Sequence, residues 1–181
     1  MQQKPMPFAL EGFCPPFQVA GDRSDLRLEL LNPADAPEIA KALSLIDPWR
    51  RLGIPAERLL AGLALSVPKT PSRHAFVLKS RAQPAGVAVL DDHWLRGPYV
   101  RFFAILPGHE RQGLGSALLT WIIREASREA DNLWLCASAF NSPALRLYER
   151  HGFLKVAVLD DLLRPGDDEI LMRCRLDQSR A

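Results

Sequence analysis

The chain predicts an α/β fold built on one mixed sheet. Two patterns carry that prediction. Short β-prone runs are interleaved with segments of helical period, and a strand–glycine–helix passage lies past the middle of the chain. No internal repeat or linker-like stretch divides the chain, and 181 residues suffice for a single domain with a sizeable core. Residues 1–25 are Pro-rich and mixed, which reads as an extended arm, so the folded domain is expected over 26–177.

The elements follow in order. "LRLELL" from Leu26 alternates apolar and charged residues, as a half-buried strand does. In "NPADAPEIAKALSLI", Asn32 or Asp35 can cap a helix whose first turn tolerates Pro33 or Pro37. "DPWRRLGI" reads as a connector, and "PAERLLAGLAL" as a second helix. "RHAFVLKS" and "PAGVAVLDD" form a hairpin about a turn near Arg81 to Gln83. "GPYVRFFAIL" is a strand stopped by Pro107. "SALLTWIIREASREA" places Leu118, Trp121, Ile122 and Ala126 on one helical stripe, and "NLWLCASAF" is a strand. "SPALRLYERHGF" has Ser142 as N-cap, Pro143 in first position and Gly152 as its stop. A strand around Val156 to Leu159, a polar turn "RPGDDE" and a last strand "ILMRCRL" complete the order β-α-α-β-β-β-α-β-α-β-β.

Composition narrows the function. A net charge of +2 without any block of like charge gives little basis for nucleic-acid binding. No apolar run approaches the roughly 20 residues of a membrane helix. The N-terminus lacks the basic start and apolar centre of a signal peptide. Cys14, Cys136 and Cys174 are widely spaced and have no metal-ligand pattern, so no metal is expected and a reducing cytoplasm is the expected setting.

Two constellations carry chemistry. In "GHERQGLGS", Gly113 and Gly115 precede a helix, where small residues let backbone amides approach a ligand. The helix then adds unpaired N–H groups and the positive end of its dipole, which suits a pyrophosphate. An ordinary glycine turn is the alternative. An ATP-binding P-loop fails because no Lys-Ser/Thr follows, and a dinucleotide fingerprint fails because Leu118 stands where its third glycine belongs. The second constellation is "NSPALRLYERHGF". Asn141 and Tyr148 lie about two helical turns apart and can face one side. The Asn amide can bond a peptide-like ligand, and the phenol can give up a proton. Taken alone, such a Tyr148 is more often an ordinary half-buried aromatic.

Together the two resemble the GNAT superfamily of acyl-CoA-dependent N-acyltransferases. The donor motif Q/R-x-x-G-x-G/A is matched by "ERQGLGSALL" after "AILP", and the second motif by Asn141, Ala144, Leu147, Tyr148, Gly152 and Phe153. The resemblance implies a mostly antiparallel sheet with a splayed parallel pair, "VRFFAIL" and "LWLCASA", flanked by helices. It implies an acetyltransferase domain that takes acetyl-CoA as co-substrate and passes its acetyl group to a primary amine by direct attack. Backbone groups of Ala104, Ile105 and Leu106 would pair with pantetheine. Amides of Arg111, Gln112, Gly113, Leu114, Gly115 and Ser116 would hold the pyrophosphate. Asn141 would contact pantetheine, and Tyr148 would act as general acid. No cysteine is needed as nucleophile.

Two positions depart from the pattern. Glu110 replaces the opening Gln or Arg, with Arg111 beside it to supply positive charge. The strands that should splay carry no central carboxylate, and Cys136 stands five residues before Asn141. Asp91, Asp92 and His93, near the hairpin's end, could reach the cleft or be solvated turn residues, so no base is assigned. Trp49 and Arg50 could wall an acceptor site, and one of Phe102 and Phe103 should face the cleft. The acceptor is a small-molecule or peptide amine. A non-catalytic acyl-CoA-binding module is the alternative, and a nucleotide-binding protein a third reading. The last strand could pair at a sheet edge to form a homodimer.

Overall fold

The computed structural model describes residues 26–64 and 73–176, so the expected N-terminal arm lies outside the described residues. The elements are β1 (Leu26–Leu30), α1 (Ala36–Ser44), α2 (Ala56–Ala64), β2 (Arg73–Ser80), β3 (Gln83–Trp94), β4 (Gly97–Ile105), α3 (Leu114–Ser127), β5 (Asn132–Ser138), α4 (Ser142–Arg150), β6 (Phe153–Arg164) and β7 (Asp167–Arg175). They occur in the expected order. The strands form one sheet in the order β1-β2-β3-β4-β5-β7-β6, antiparallel except where β4 meets β5.

Alternation along the strands feeds a core on each face of the sheet. Phe76, Leu78, Leu90, Leu133, Leu135 and Met172 pack on one face with Leu118, Trp121 and Ile122 of α3. Ala75, Val77, Val87 and Val89 pack on the other with Ile39 and Leu43 of α1 and Leu59 and Leu63 of α2. The expected α3 stripe is thus the buried one.

Four details differ from expectation, each for a physical reason. Asn141, rather than Ser142, caps α4: its side chain accepts from the Ala144 N–H, and Ser142 becomes the first helical residue. β3 runs on through Trp94, so Asp91, Asp92 and His93 lie in a strand. Asp91 pairs with Arg73 on one side and Tyr99 on the other, and accepts from the Arg73 and Arg101 side chains, which balance its charge. The hairpins close through Arg81–Ala82 and Leu95–Arg96, all at positive φ, a conformation the sequence does not advertise with Gly or Asn. Finally, β7 is internal, flanked by β5 and β6. The strand expected to offer an edge to a second copy therefore has no free edge, and the outer strand at that end is β6.

Candidate active site

A wedge-shaped opening divides the sheet. β4 and β5 pair at Tyr99↔Trp134 and Val100↔Leu135. Beyond those pairs β4 stays with β3 as far as Gly86↔Ile105, while β5 stays with β7 as far as Ser138↔Glu169. The narrow end is bolted. Asn132 Nδ2 donates to Arg96 O at 3.3 Å and Trp134 Nε1 to Leu95 O at 3.1 Å. A Cβ at Gly97 would lie 2.0 Å from Asn132 O, so only glycine permits this approach. The wide end begins at a bulge. Val89 pairs with Phe102 and Leu90 with Val100, leaving Arg101 as the extra residue that bends β4.

Alternation of the β3–β4 ladder decides which backbone groups face the opening. Leu106 N donates to Ala85 O at 2.9 Å, which fixes Ala104 as bonded to β3 as well and turns the N–H and C=O of Phe103 and Ile105 outward. The backbone groups expected of Ala104 are therefore used within the sheet, and those of Leu106 are spent on Ala85 and, through its carbonyl, on His109 N. The backbone groups left facing the opening are those of Phe103 and Ile105.

Beyond Pro107 the chain turns through Gly108 and Arg111 at positive φ and enters α3 at Gly113, whose φ of 78° makes it a left-handed N-cap. Glycine has no side chain to cap with, and Ala117 is the first residue to bond back, to Gly113 O at 3.0 Å. The amides of Leu114, Gly115 and Ser116 thus leave the helix end without an intrahelical acceptor, at the positive end of a 14-residue helix whose first turn has no acidic residue. Glu110 is turned back onto its own loop. Its Oε2 folds back to accept from Gly108 N at 2.8 Å, while Gln112 Nε2 donates to Gly108 O at 3.0 Å. Ser116 Oγ meets His151 Nε2 at 2.7 Å, tying the start of α3 to the end of α4. A Cβ at Gly115 would touch Ile105 and Leu147 side chains at 3.5 Å, which is ordinary contact. The fold does not demand glycine there. Its absence of a side chain keeps space between β4 and α4.

Tyr148 is the buried residue of α4, set edge-on to Phe103 and packed on Phe153. Its hydroxyl has no hydrogen-bond partner among the described residues. Burial, and then the charge of Glu169, push its phenol well above the ordinary value, so it stays protonated until a strong base forms beside it. Asn141 spends Oδ1 on its cap and keeps its N–H groups as donors.

The α1–α2 connector lies over the other face. Trp49 stacks on Phe102 at 6.0 Å, and Arg51 sits 4.0 Å over the Phe140 ring. Arg50 turns away to Asp47. Of the base candidates, Asp91 is held by two arginines: burial alone would raise it, but Arg73 and Arg101 bring it below its usual value. Asp92 meets His74 Nε2 at 2.8 Å, and His93 is exposed. Cys136 is pushed up by burial and the Glu169 charge, against a hydrogen bond from Tyr99, and so remains a thiol.

Glu169 is the residue sequence reasoning missed. It lies on β7 opposite Ser138, is 5% exposed, and accepts the Ser138 hydroxyl on Oε1. Burial raises its carboxyl first, and Asp167 adds to the effect against the Ser138 bond. "GDDEILMRC" reads as a polar turn entering a strand. Period-two alternation from Met172 and Ile170 sets Glu169 on the opposite face, and that was the available signal. Among the described residues no cluster of His, Cys, Asp or Glu could hold a metal ion.

The acetyltransferase (GNAT) family model matches residues 42–153. The chain is 34% identical over 80 residues to an N-alpha-acetyltransferase of Sulfurisphaera tokodaii, covering 43% of this chain and 48% of that protein. It is 43% identical over 56 residues to the [ribosomal protein bS18]-alanine N-acetyltransferase of Escherichia coli, covering 30% of this chain and 38% of that one. The chain thus spans less than half the length of these curated relatives. The solved structure of the ribosomal-protein-S18-alanine N-acetyltransferase from Escherichia coli superposes with a TM-score of 0.70 at 24% identity, over 84% of this chain and 94% of that one. That likeness is one of fold.

Proposed function

The chain belongs to the acetyltransferase (GNAT) family, and from that premise we propose that it transfers an acetyl group from acetyl-CoA to a primary amine, with Tyr148 as general acid. One arrangement carries the reading. β4 parts from β5, the uncapped start of α3 approaches Ile105 and Phe103 of β4, and the buried Tyr148 phenol packs on Phe103 with no hydrogen-bond partner among the described residues.

The residues fit acetyl-CoA as co-substrate, which supplies the acetyl thioester. Leu114, Gly115 and Ser116 offer N–H groups to a pyrophosphate, with Arg111 alongside. Phe103 and Ile105 offer strand-like backbone bonds to the amides of a pantetheine arm, and Asn141 adds donors. Gly115 leaves the arm its space. Tyr148 gives its proton to the departing sulfur, and the amine attacks the carbonyl without an enzyme-bound acyl intermediate.

An N-terminal α-amine is the first acceptor class to test, because one relative is named an N-alpha-acetyltransferase and another an alanine N-acetyltransferase of ribosomal protein bS18. The connector carrying Trp49 and Arg51 would border the acceptor side. Cytoplasmic residence belongs to the same reading. Among the described residues no helix is long and apolar enough to cross a membrane.

The test is calorimetric titration with acetyl-CoA, CoA, ATP and NAD at one salt concentration, followed by thiol release with a peptide bearing a free N-terminal alanine. Selective acetyl-CoA binding with thiol release supports the proposal. Binding without release across a panel of amines would favour a non-catalytic acyl-CoA-binding module.

A further inference from the structure

We propose that Glu169 is the general base that deprotonates the acceptor amine, taking over from β7 the task for which β4 and β5 have no carboxylate. This rests on the acetyl-transfer reading above and assigns a residue to its acceptor side.

The geometry supports it. Glu169 sits opposite Ser138, at the end of β5 that has parted from β4. Ser138 Oγ donates to Oε1 and so orients the carboxylate, while Oε2 takes no hydrogen bond among the described residues. No lysine or arginine pairs with it among those residues, in contrast to Asp91. Its charge acts on Tyr148 of α4, on Tyr99 of β4 and on Cys136 of β5, three side chains from the elements that frame the opening. Asp167 on its own strand is the further charged neighbour. At 5% exposure the carboxylate is nearly sealed from bulk water, which strengthens its affinity for a proton. A buried carboxylate without a cation is costly to fold, and groups so perturbed cluster where protons are taken or given.

The protons balance. An incoming ammonium gives one proton to Glu169, which returns it to solvent after the turnover. The neutral amine then forms its bond to the carbonyl carbon and the carbon–sulfur bond breaks. Nitrogen loses its second proton to water on collapse, sulfur gains the one that Tyr148 donates, and the phenolate takes a proton back from water before the next turnover.

The experiment compares wild type, Glu169→Gln, Glu169→Asp and Ser138→Ala, using acetyl-CoA and a peptide with a free N-terminal alanine. The kcat/KM is followed from pH 6 to pH 9, with acetyl-CoA affinity measured alongside. Glu169→Gln should lose about 10²-fold at the acid end. The deficit should shrink as the solution deprotonates the α-amine near pH ~8, while acetyl-CoA affinity holds. Glu169→Asp should recover part of the loss. Ser138→Ala should move the acid limb to higher pH, because the hydroxyl lowers the carboxyl's proton affinity; it reads the role even if Glu169→Gln fails to fold. An equal loss at every pH, full activity in Glu169→Gln, or an unmoved limb in Ser138→Ala would overturn the assignment while leaving acetyl transfer intact. A wild type that acetylates no amine would remove both.

Discussion

Gly115→Ala separates what the fold needs from what the ligand needs. The added methyl would meet Ile105 Cγ1 and Leu147 Cδ2 at 3.5 Å and Phe103 Cε1 at 4.0 Å, all ordinary van der Waals distances. No overpacking cost follows. Gly115 is the second residue of α3, and no positive φ holds it there. Replacing a helical glycine by alanine is favourable by roughly 0.5–1 kcal/mol. For a domain of this size that corresponds to a rise in melting temperature of about 1–4 °C. The same methyl would stand between β4 and α4, in the space assigned to pantetheine. Acetyl-CoA affinity should fall at least tenfold, or about 1.4 kcal/mol. Thermal unfolding without ligand and calorimetric titration with acetyl-CoA read the two effects separately. A variant that is more stable and binds more weakly fits the account. Unchanged affinity in a folded Gly115→Ala protein would refute the placement of the ligand between β4 and α4.

Other perturbations test separate parts. Tyr148→Phe should lower kcat by about 10²-fold or more while leaving acetyl-CoA affinity and melting temperature nearly unchanged, because the hydroxyl has no hydrogen-bond partner to lose among the described residues; stopped-flow thiol release and calorimetry check it. Asn141→Ala should cost about 1 kcal/mol of stability through loss of the α4 cap, visible as a lower urea midpoint. Gly97→Ala should destabilise by about 1–3 kcal/mol, since its Cβ would sit on Asn132 O and force the bolted end of the sheet apart. The folded state raises Glu169 above its ordinary 4.5, so it binds that proton more tightly than the unfolded chain does. Stability from this group is full below pH 4.5 and is lost as pH rises through the folded value. Denaturant midpoints over that window should fall less with pH in Glu169→Gln than in wild type.

The sequence made some features of this site legible and hid others for identifiable reasons. α3 was readable from its glycine start and one apolar stripe, and α4 from a capping residue and Pro143 at its start and Gly152 at its end. The cap of α4 shifted by one residue because Asn141 and Ser142 are both good caps and Pro143 is tolerated in the first or second position. The parallel pair followed from the resemblance, but its opening depends on the Arg101 bulge and the Gly97 approach. Both are relations between distant strands. The same holds for β7. Nothing in "ILMRCRL" says that it inserts between β5 and β6, and without that insertion Glu169 has no reason to lie opposite Ser138. Asp91 and Asp92 looked like turn residues because the groups they bond, Arg73, Arg101 and His74, come from neighbouring positions of other strands or the far side of a hairpin.

The central claim is tested most directly by mass spectrometry of a peptide with a free N-terminal alanine, incubated with acetyl-CoA and either wild type or Tyr148→Phe. One added acetyl group is expected on the peptide's α-amine with wild type, matched by one thiol released, and a rate at least about 10²-fold lower with Tyr148→Phe. Equal rates in the two proteins would contradict it, because proton donation by Tyr148 would then play no part in the transfer.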